Sequence, residues 1–254
     1  MNGAVSDTAY AAKLFEGCDA VIVQACLEGT MRHLLVDRAP SVPAAAAVLG
    51  DFAYLAGNPC KALLGRILQA DAPAPQILIP CSDAAARLLE AHVGNGFERH
   101  TRYAMQLEPS ALDLPHLCEL ASAPDGVTIR PIDQMLYRRC LELPWSRDLV
   151  SQFPTFARFD ARALGFIALE DGTMVSGAST YARSADAIEI EVDTAPAARR
   201  RGLARACAAA LILACHERGI RPNWDAHTAA SRALAESLGY RLSRAYTAYI
   251  VQGA

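Results

Sequence analysis

Lysine is almost missing from this 254-residue chain: Lys13 and Lys61 are the only two, and arginine supplies every other basic side chain. With so much alanine present, the bias fits a GC-rich coding sequence better than a function. None of the eight cysteines forms a CxxC pair, and none of the six histidines belongs to an HExxH motif, so the usual zinc spacings are excluded. A disulfide framework is not expected, because several cysteines sit in apolar runs, where cysteine behaves as a small hydrophobe. No uninterrupted apolar stretch reaches membrane-spanning length. The first residues, "MNGAVSDTAYAAKLFEGCDA", carry acids and no long apolar core, so they do not read as a secretory signal. A reducing, cytoplasmic setting is the simplest expectation. The formal net charge of −3 argues against a general nucleic-acid binder.

What is present suits a soluble globular protein. The hydrophobic fraction is 52% and the charged fraction 20%, and the length allows one large or two small domains. Ala20, Val23, Leu27, Met31 and Leu34 recur at helical spacing. "FAYLAG" and "QILIPCSD" read as strands, with Ser82 or Asp83 capping the helix that follows, and "GNGFERHTRYAMQL" gives a glycine stop and a further strand. The stretch 108–126, with three prolines and a Pro-Asp-Gly turn, reads as a linker between an α/β half, 1–107, and a second half, 127–254. The second half opens with the strand "VTIRPID" and a helix around "QMLYRRCLELPW". A hairpin turning at Asp171-Gly172 follows, then "AIEIEVDT", which alternates with period two. Ile188, Ile190 and Val192 face one way; Glu189, Glu191 and Asp193 face the other. Both halves end as helix, glycine, aromatic, strand, which is either an internal duplication or the common form of any αβ unit.

The stretch "TAPAARRRGLARA" stands between that strand and the helix "LARACAAALILACHERG". Three adjacent arginines repel one another, so they are either a solvated cluster or a place where an anion binds. The amides of such a loop and of the first helical turn lack intrahelical partners and lie at the positive end of the helix dipole. Gly202 allows a ligand to approach the backbone, Ala204 is small enough not to obstruct it, and Arg199, Arg200 and Arg201 add charge. The loop is neither a Walker loop nor a GxGxxG dinucleotide loop.

The order Arg199-x-x-Gly202-x-Ala204, after a hairpin and a long strand and before "RPNWDAHT", "SRALAESLGYRL" and "AYTAYIV", resembles the acyl-CoA loop of the GNAT N-acetyltransferases. "EIEVDTAPAARRRGLA" with "PNWDAHTAASRALAESLGY" resembles in particular the subgroup related to the zwittermicin A resistance acetyltransferase, which carries an extra N-terminal half. The resemblance implies an α/β mixed-sheet fold: a C-terminal GNAT domain with an extra N-terminal half, which, if the internal duplication holds, is a degenerate GNAT-like copy not expected to bind acetyl-CoA. It implies acetyl-CoA as acyl donor and, with it, a small-molecule amine as acceptor; the absence of zinc spacings leaves no metal expected. The resemblance implies that backbone at Val192, Asp193 and Thr194 pairs with the pantetheine arm. It also implies that the amides from Arg199 to Ala204, Leu203 included, hold the pyrophosphate, with Ser231 near the cofactor arm or simply a packing residue.

Acetyl transfer from a thioester needs a deprotonated amine, a polarised carbonyl and a route for the thiolate. Glu189 and Glu191 are the candidate bases; the alternative is that they pair with arginines at a solvated edge. Asp225 is a candidate ligand for an acceptor ammonium and Trp224 a candidate groove wall, against a turn-forming Asp and a packed Trp. Trp145 is either a substrate wall or core. The tyrosine that many GNAT enzymes use as thiolate acid falls at Ala235, and the usual asparagine at Thr228. These departures leave open a non-catalytic acyl-CoA sensor or scaffold. The oligomeric state is not read from the sequence.

Overall fold

The computed structural model describes residues 3–31, 33–38, 43–69, 77–108, 110 and 112–252, with the side chains of residues 3–6 excepted. In chain order the elements are α1 (Gly3–Leu14), α2 (Val21–Leu27), β1 (His33–Asp37), β2 (Ala44–Leu49), β3 (Phe52–Gly57), α3 (Lys61–Ile67), β4 (Ile77–Pro80), α4 (Asp83–Glu90) and β5 (Phe97–Gln106). Then come α5 (Leu114–Leu120), β6 (Val127–Pro131), α6 (Gln134–Glu142), α7 (Phe156–Arg162), β7 (Gly165–Glu170) and β8 (Thr173–Arg183). The chain closes with β9 (Ala187–Thr194), α8 (Leu203–Glu217), β10 (Arg221–Ala226), α9 (Ala229–Ser237) and β11 (Arg241–Val251). This is the mixed α/β class expected.

The chain forms two compact units, one of residues 1–102 with 245–254, the other of residues 103–244. The boundaries therefore fall inside β5 and β11, and not at 107 and 127 as the proline-rich stretch suggested. That stretch holds α5, capped by Asp113 and buried through Leu117 in the core of the second unit. Its residues 109 and 111 lie outside the described residues.

In the first unit the strand order is β1-β2-β3-β4-β11. The β1–β2, β2–β3 and β4–β11 pairs are antiparallel, and β3–β4 is parallel. In the second unit the order is β6-β7-β8-β9-β10-β5. There β9–β10 is the parallel pair, and β10–β5 is antiparallel. The two units thus repeat one plan: an antiparallel meander, a helical crossover to a parallel strand, a second helix, then a final strand. The final strands are exchanged. The strand after α4 pairs with β10, and the strand after α9 pairs with β4.

The helical spacing read from Ala20 to Leu34 holds only as far as Leu27, and Leu34 lies in β1. β2, sequence AAAAVL, was not expected as a strand; every one of its residues is buried, and α1 and α2 pack on it. Small side chains let a helix approach the sheet closely, which compensates for the poor strand propensity of alanine. In the second unit the core centres on α8. Leu203, Cys207, Leu211 and Cys215 are buried against Ile188, Ala178 and Trp224.

Candidate functional site

The alternation in β9 places two chemistries on two faces. Ile188 is fully buried, and Ile190 and Val192 pack on the same core as α8. Glu189, Glu191 and Asp193 take the opposite face. A single 3₁₀ turn, Arg147–Leu149, lies over that face: the Ser179 hydroxyl donates to the Leu149 carbonyl, and Ser179 is the register partner of Glu191.

β10 serves two neighbours in succession. Arg221, Pro222 and Asn223 pair with Ala187, Ile188 and Glu189 of β9. Trp224, Asp225 and Ala226 then pair with Met105, Ala104 and Tyr103 of β5. The two parallel strands therefore part after Glu189, and Ile190–Thr194 runs along an open fork. At the fork itself Asn223 Nδ2 donates to Glu189 Oε2 at 2.6 Å.

β9 leads through the 3₁₀ turn Pro196–Ala198 into the arginine–glycine loop and α8. Gly202 is the N-cap of α8 with φ +80°, and no side chain caps the helix there. α2 and α3 likewise lack a side-chain cap, whereas α4, α5, α6, α7 and α9 are capped by Ser82, Asp113, Asp133, Thr155 and Thr228. The first-turn amides of the 15-residue α8 are thus left to water or an anion. A Cβ built on Gly202 would meet only the Arg205 guanidinium, at 3.7 Å, so the space above the loop is open. Arg200 also has a left-handed backbone, φ +65°, a conformation that costs a non-glycine residue energy and marks functional turns. These features fit the diphosphate of a CoA-type donor.

The three arginines are not equivalent. Arg201 makes a two-pronged ion pair with Glu170 at the end of β7, which anchors the loop to the hairpin. Arg199 Nε lies 3.5 Å from the Thr194 carbonyl, and Arg200 is exposed. Thr194 Oγ1 is 2.7 Å from the Ser176 hydroxyl, which donates to the Asp193 carbonyl at 2.9 Å. Burial raises the Asp193 carboxyl to about 6; the negative charge of Asp148 adds to this and Arg199 opposes it.

Other expected site residues lie elsewhere. Trp224 is 3% exposed, its indole donates to Ser231 Oγ at 3.1 Å, and its ring packs on Tyr240. It faces the α8 side, because period two in β10 puts Asn223 and Asp225 on the face of Glu189 and Trp224 on the other. Of the two readings open for Trp224, the packed ring is the one this burial fits, and the groove-wall alternative is set aside. Ser231 is occupied as the acceptor for that indole, within the first turn of α9. Trp145 is half-buried, just before the turn over the acidic face. Ala235 is fully buried in the core, and Thr228 caps α9. Sequence reasoning missed Asn223, Asp148 and Ser176. Only Asn223 carried a signal, the alternation of "RPNWDA". Among the described residues no cluster of His, Cys, Asp and Glu could hold a metal ion, and no helix is long and apolar enough to cross a membrane.

The GNAT acetyltransferase family model matches residues 12–249. The chain is similar to the uncharacterized N-acetyltransferase YdfB of Bacillus subtilis, with 24% identity over 174 residues, 68% of this chain and 64% of that one. The chain thus aligns with somewhat less than two thirds of that relative's length. It is also similar to the crystal structure of a GCN5-related N-acetyltransferase-like protein from Streptococcus suis, with 42% identity, coverage of 97% of this chain and 99% of that one, and a TM-score of 0.89. A GCN5-related N-acetyltransferase from Kribbella flavida shares the fold at 17% identity, with coverage of 100% and 97% and a TM-score of 0.58.

Proposed function

The chain belongs to the GNAT acetyltransferase family, and on that premise we propose that it transfers an acetyl group from acetyl-CoA to the nitrogen of a small-molecule amine in the cytoplasm. The observation that carries the reading is the fork between β9 and β10, with the uncapped, glycine-started α8 at its end. Bound acetyl-CoA supplies the activated thioester. The residues assigned to hold it are the backbone of Val192, Asp193 and Thr194 and the loop amides from Arg199 to Ala204, with Arg199 and Arg200 as charge.

The acidic face of β9 provides the rest of the site. Glu189, held at the fork by Asn223, is the preferred base for the acceptor ammonium, directly or through water. Glu191 and Asp225 on the same side offer negative charge that favours a cationic acceptor. Buried Ala235 cannot donate a proton, so departure of the thiolate relies on positioning and solvent. The first unit is read as a degenerate copy of the fold without donor binding. The motif around Arg199–Ala204 favours the subgroup related to the zwittermicin A resistance acetyltransferase. The test is a screen of aminoglycosides, polyamines and amino acids with acetyl-CoA, detecting CoA thiol. Amine-dependent thiol release with acetylated product supports the reading; no turnover with any amine, despite tight acetyl-CoA binding, favours a sensor.

A further inference from the structure

The eight cysteines fall into distinct chemical classes. Cys26, Cys140, Cys207 and Cys215 are buried, and desolvation pushes each thiol up to about 12, so they are poor nucleophiles. Cys118 is exposed on α5, and Cys60, the N-cap residue of α3, is half-buried. Cys18 and Cys81 differ from these in lying against each other. They are 63 residues apart in the chain, yet their Sγ atoms lie 3.0 Å from each other, and both are only half-buried.

Local structure explains the meeting. Cys18 follows Gly17, which has φ +83°, in the turn that joins α1 to α2. Cys81 leaves β4 with its amide bonded to the Leu55 carbonyl, one residue before the Ser82 cap of α4. Ser82 in turn donates to the Gly57 carbonyl, so the turn carrying Cys81 is tied to both β3 and α4. Both thiols belong to the first unit, and the second unit's candidate site uses neither.

We propose that Cys18 and Cys81 are a reversible oxidation site, closing to a disulfide when a low-molecular-weight disulfide or a comparable two-electron thiol oxidant is present. An S–S bond requires the sulfurs to close by about 1 Å from their present separation, a shift within reach of side-chain rotation. With a small disulfide as oxidant, one thiolate attacks a sulfur of the oxidant and releases one small thiol. The second thiolate then attacks the mixed disulfide and releases the other. The two cysteine protons end on the released thiols, and two electrons pass from the pair to the oxidant. Partial exposure gives the oxidant access, and the juxtaposed second thiol resolves the adduct.

The full-length protein, purified with a reductant and freed of it, is exposed to oxidised glutathione, denatured with an alkylating agent and examined by intact mass and peptide mapping. The expected result is loss of two of the eight alkylatable thiols, a mass about 2 Da below the reduced form before alkylation, and a linked peptide joining Cys18 to Cys81. Dithiothreitol restores both thiols. In Cys18→Ser and Cys81→Ser the partner thiol should hold a stable glutathione adduct, because nothing resolves it. Retention of all eight thiols in the wild type, a cross-link mapped to another pair, or unresolved glutathione adducts on both cysteines would overturn the proposal. Because the wild-type mapping alone decides, failure of a variant to fold does not protect the idea.

Discussion

Replacing Gly202 by glutamate tests the donor loop most directly, since two separable costs can be worked out beforehand. The first falls on folding. Gly202 has φ +80°, and a side chain in that left-handed region costs about 1–2 kcal/mol. For a chain of this size that corresponds to a fall in Tm of about 2–8 °C. Space adds little, because a Cβ there meets only the Arg205 guanidinium at 3.7 Å. The second cost falls on binding. Two like unit charges 4 Å apart repel by roughly 4 kcal/mol at an effective dielectric near 20. At 1.4 kcal/mol per decade this weakens acetyl-CoA binding about 10³-fold. Gly202→Ala isolates the terms: it should share the loss of stability and lose much less affinity. Calorimetric titration with acetyl-CoA measures the affinities, and circular dichroism during heating reports the fold. If folded Gly202→Glu binds acetyl-CoA within about threefold of wild type, the diphosphate does not sit over this loop and the assignment fails.

Three further outcomes follow from the same site. Once an acceptor is known, Glu189→Gln should lower kcat by roughly 10²–10⁴-fold, remove the acidic limb of the kcat/KM–pH profile and leave acetyl-CoA affinity nearly unchanged, with Glu191→Gln milder. Near-wild-type kcat and an unaltered profile in both would exclude the two glutamates as base and make Asp225 the next candidate. Asp193 holds its proton more tightly folded than unfolded, its carboxyl moving from 3.8 to about 6, so its contribution to stability falls as pH rises between those values and the penalty persists above. Asp193→Asn should therefore be more stable than wild type by about 1–3 kcal/mol above pH 6, the gap closing below pH 4; equal urea midpoints at pH 7.5 would contradict this. Finally, titration of the full chain should give one acetyl-CoA per molecule, and two would show that the first unit also binds it.

The elements around the site were legible because their patterns are strong. Strict alternation in "AIEIEVDT" defined both faces of β9, and the arginine–glycine loop announced an uncapped helix start. Elsewhere the sequence carried weaker or misleading signals. The run AAAAVL has no period, and alanine favours helices, so β2 is decided by tertiary burial on both faces rather than by local preference. The helical spacing from Ala20 continues past Leu27 by coincidence, since Met31 and Leu34 are buried or half-buried for unrelated reasons. For Trp224 the sequence leaves groove wall and packed ring both open, because an indole with a serine hydroxyl as acceptor can be buried without leaving its N–H unsatisfied. The pairing of Cys18 with Cys81 had no local signature at all, because turns far apart in sequence bring the sulfurs together.

The repeated plan of the two units bears on the proposal that only the second carries a donor site. In the first unit the parallel strands stay together for the whole of β4: Phe52, Ala53, Tyr54 and Leu55 pair with Ile77, Leu78, Ile79 and Pro80, and the Cys81 amide continues to Leu55. β11 pairs on the other side of these same residues, at Leu78 and Ile77. In the second unit β10 gives its first three residues to β9 and its next three to β5. Strand order and sense are alike; the register differs. A strand shared by both neighbours at the same residues makes a closed sheet, whereas one shared in succession makes a fork. The crossover helices themselves start alike, without a side-chain cap, but the glycines leading into them differ. At the end of β3 a Cβ on Gly57 would lie 2.2 Å from the Pro43 carbonyl oxygen, so backbone already fills that approach, while Gly202 faces open space. The fork leaves β9 beyond Glu189 with an edge that no described strand pairs on the β10 side, and an amide-bearing ligand arm can pair with such an edge as an added strand would. Under the proposed assignment, donor binding depends on the register of one short strand and on the conformation of one glycine, not on a different fold.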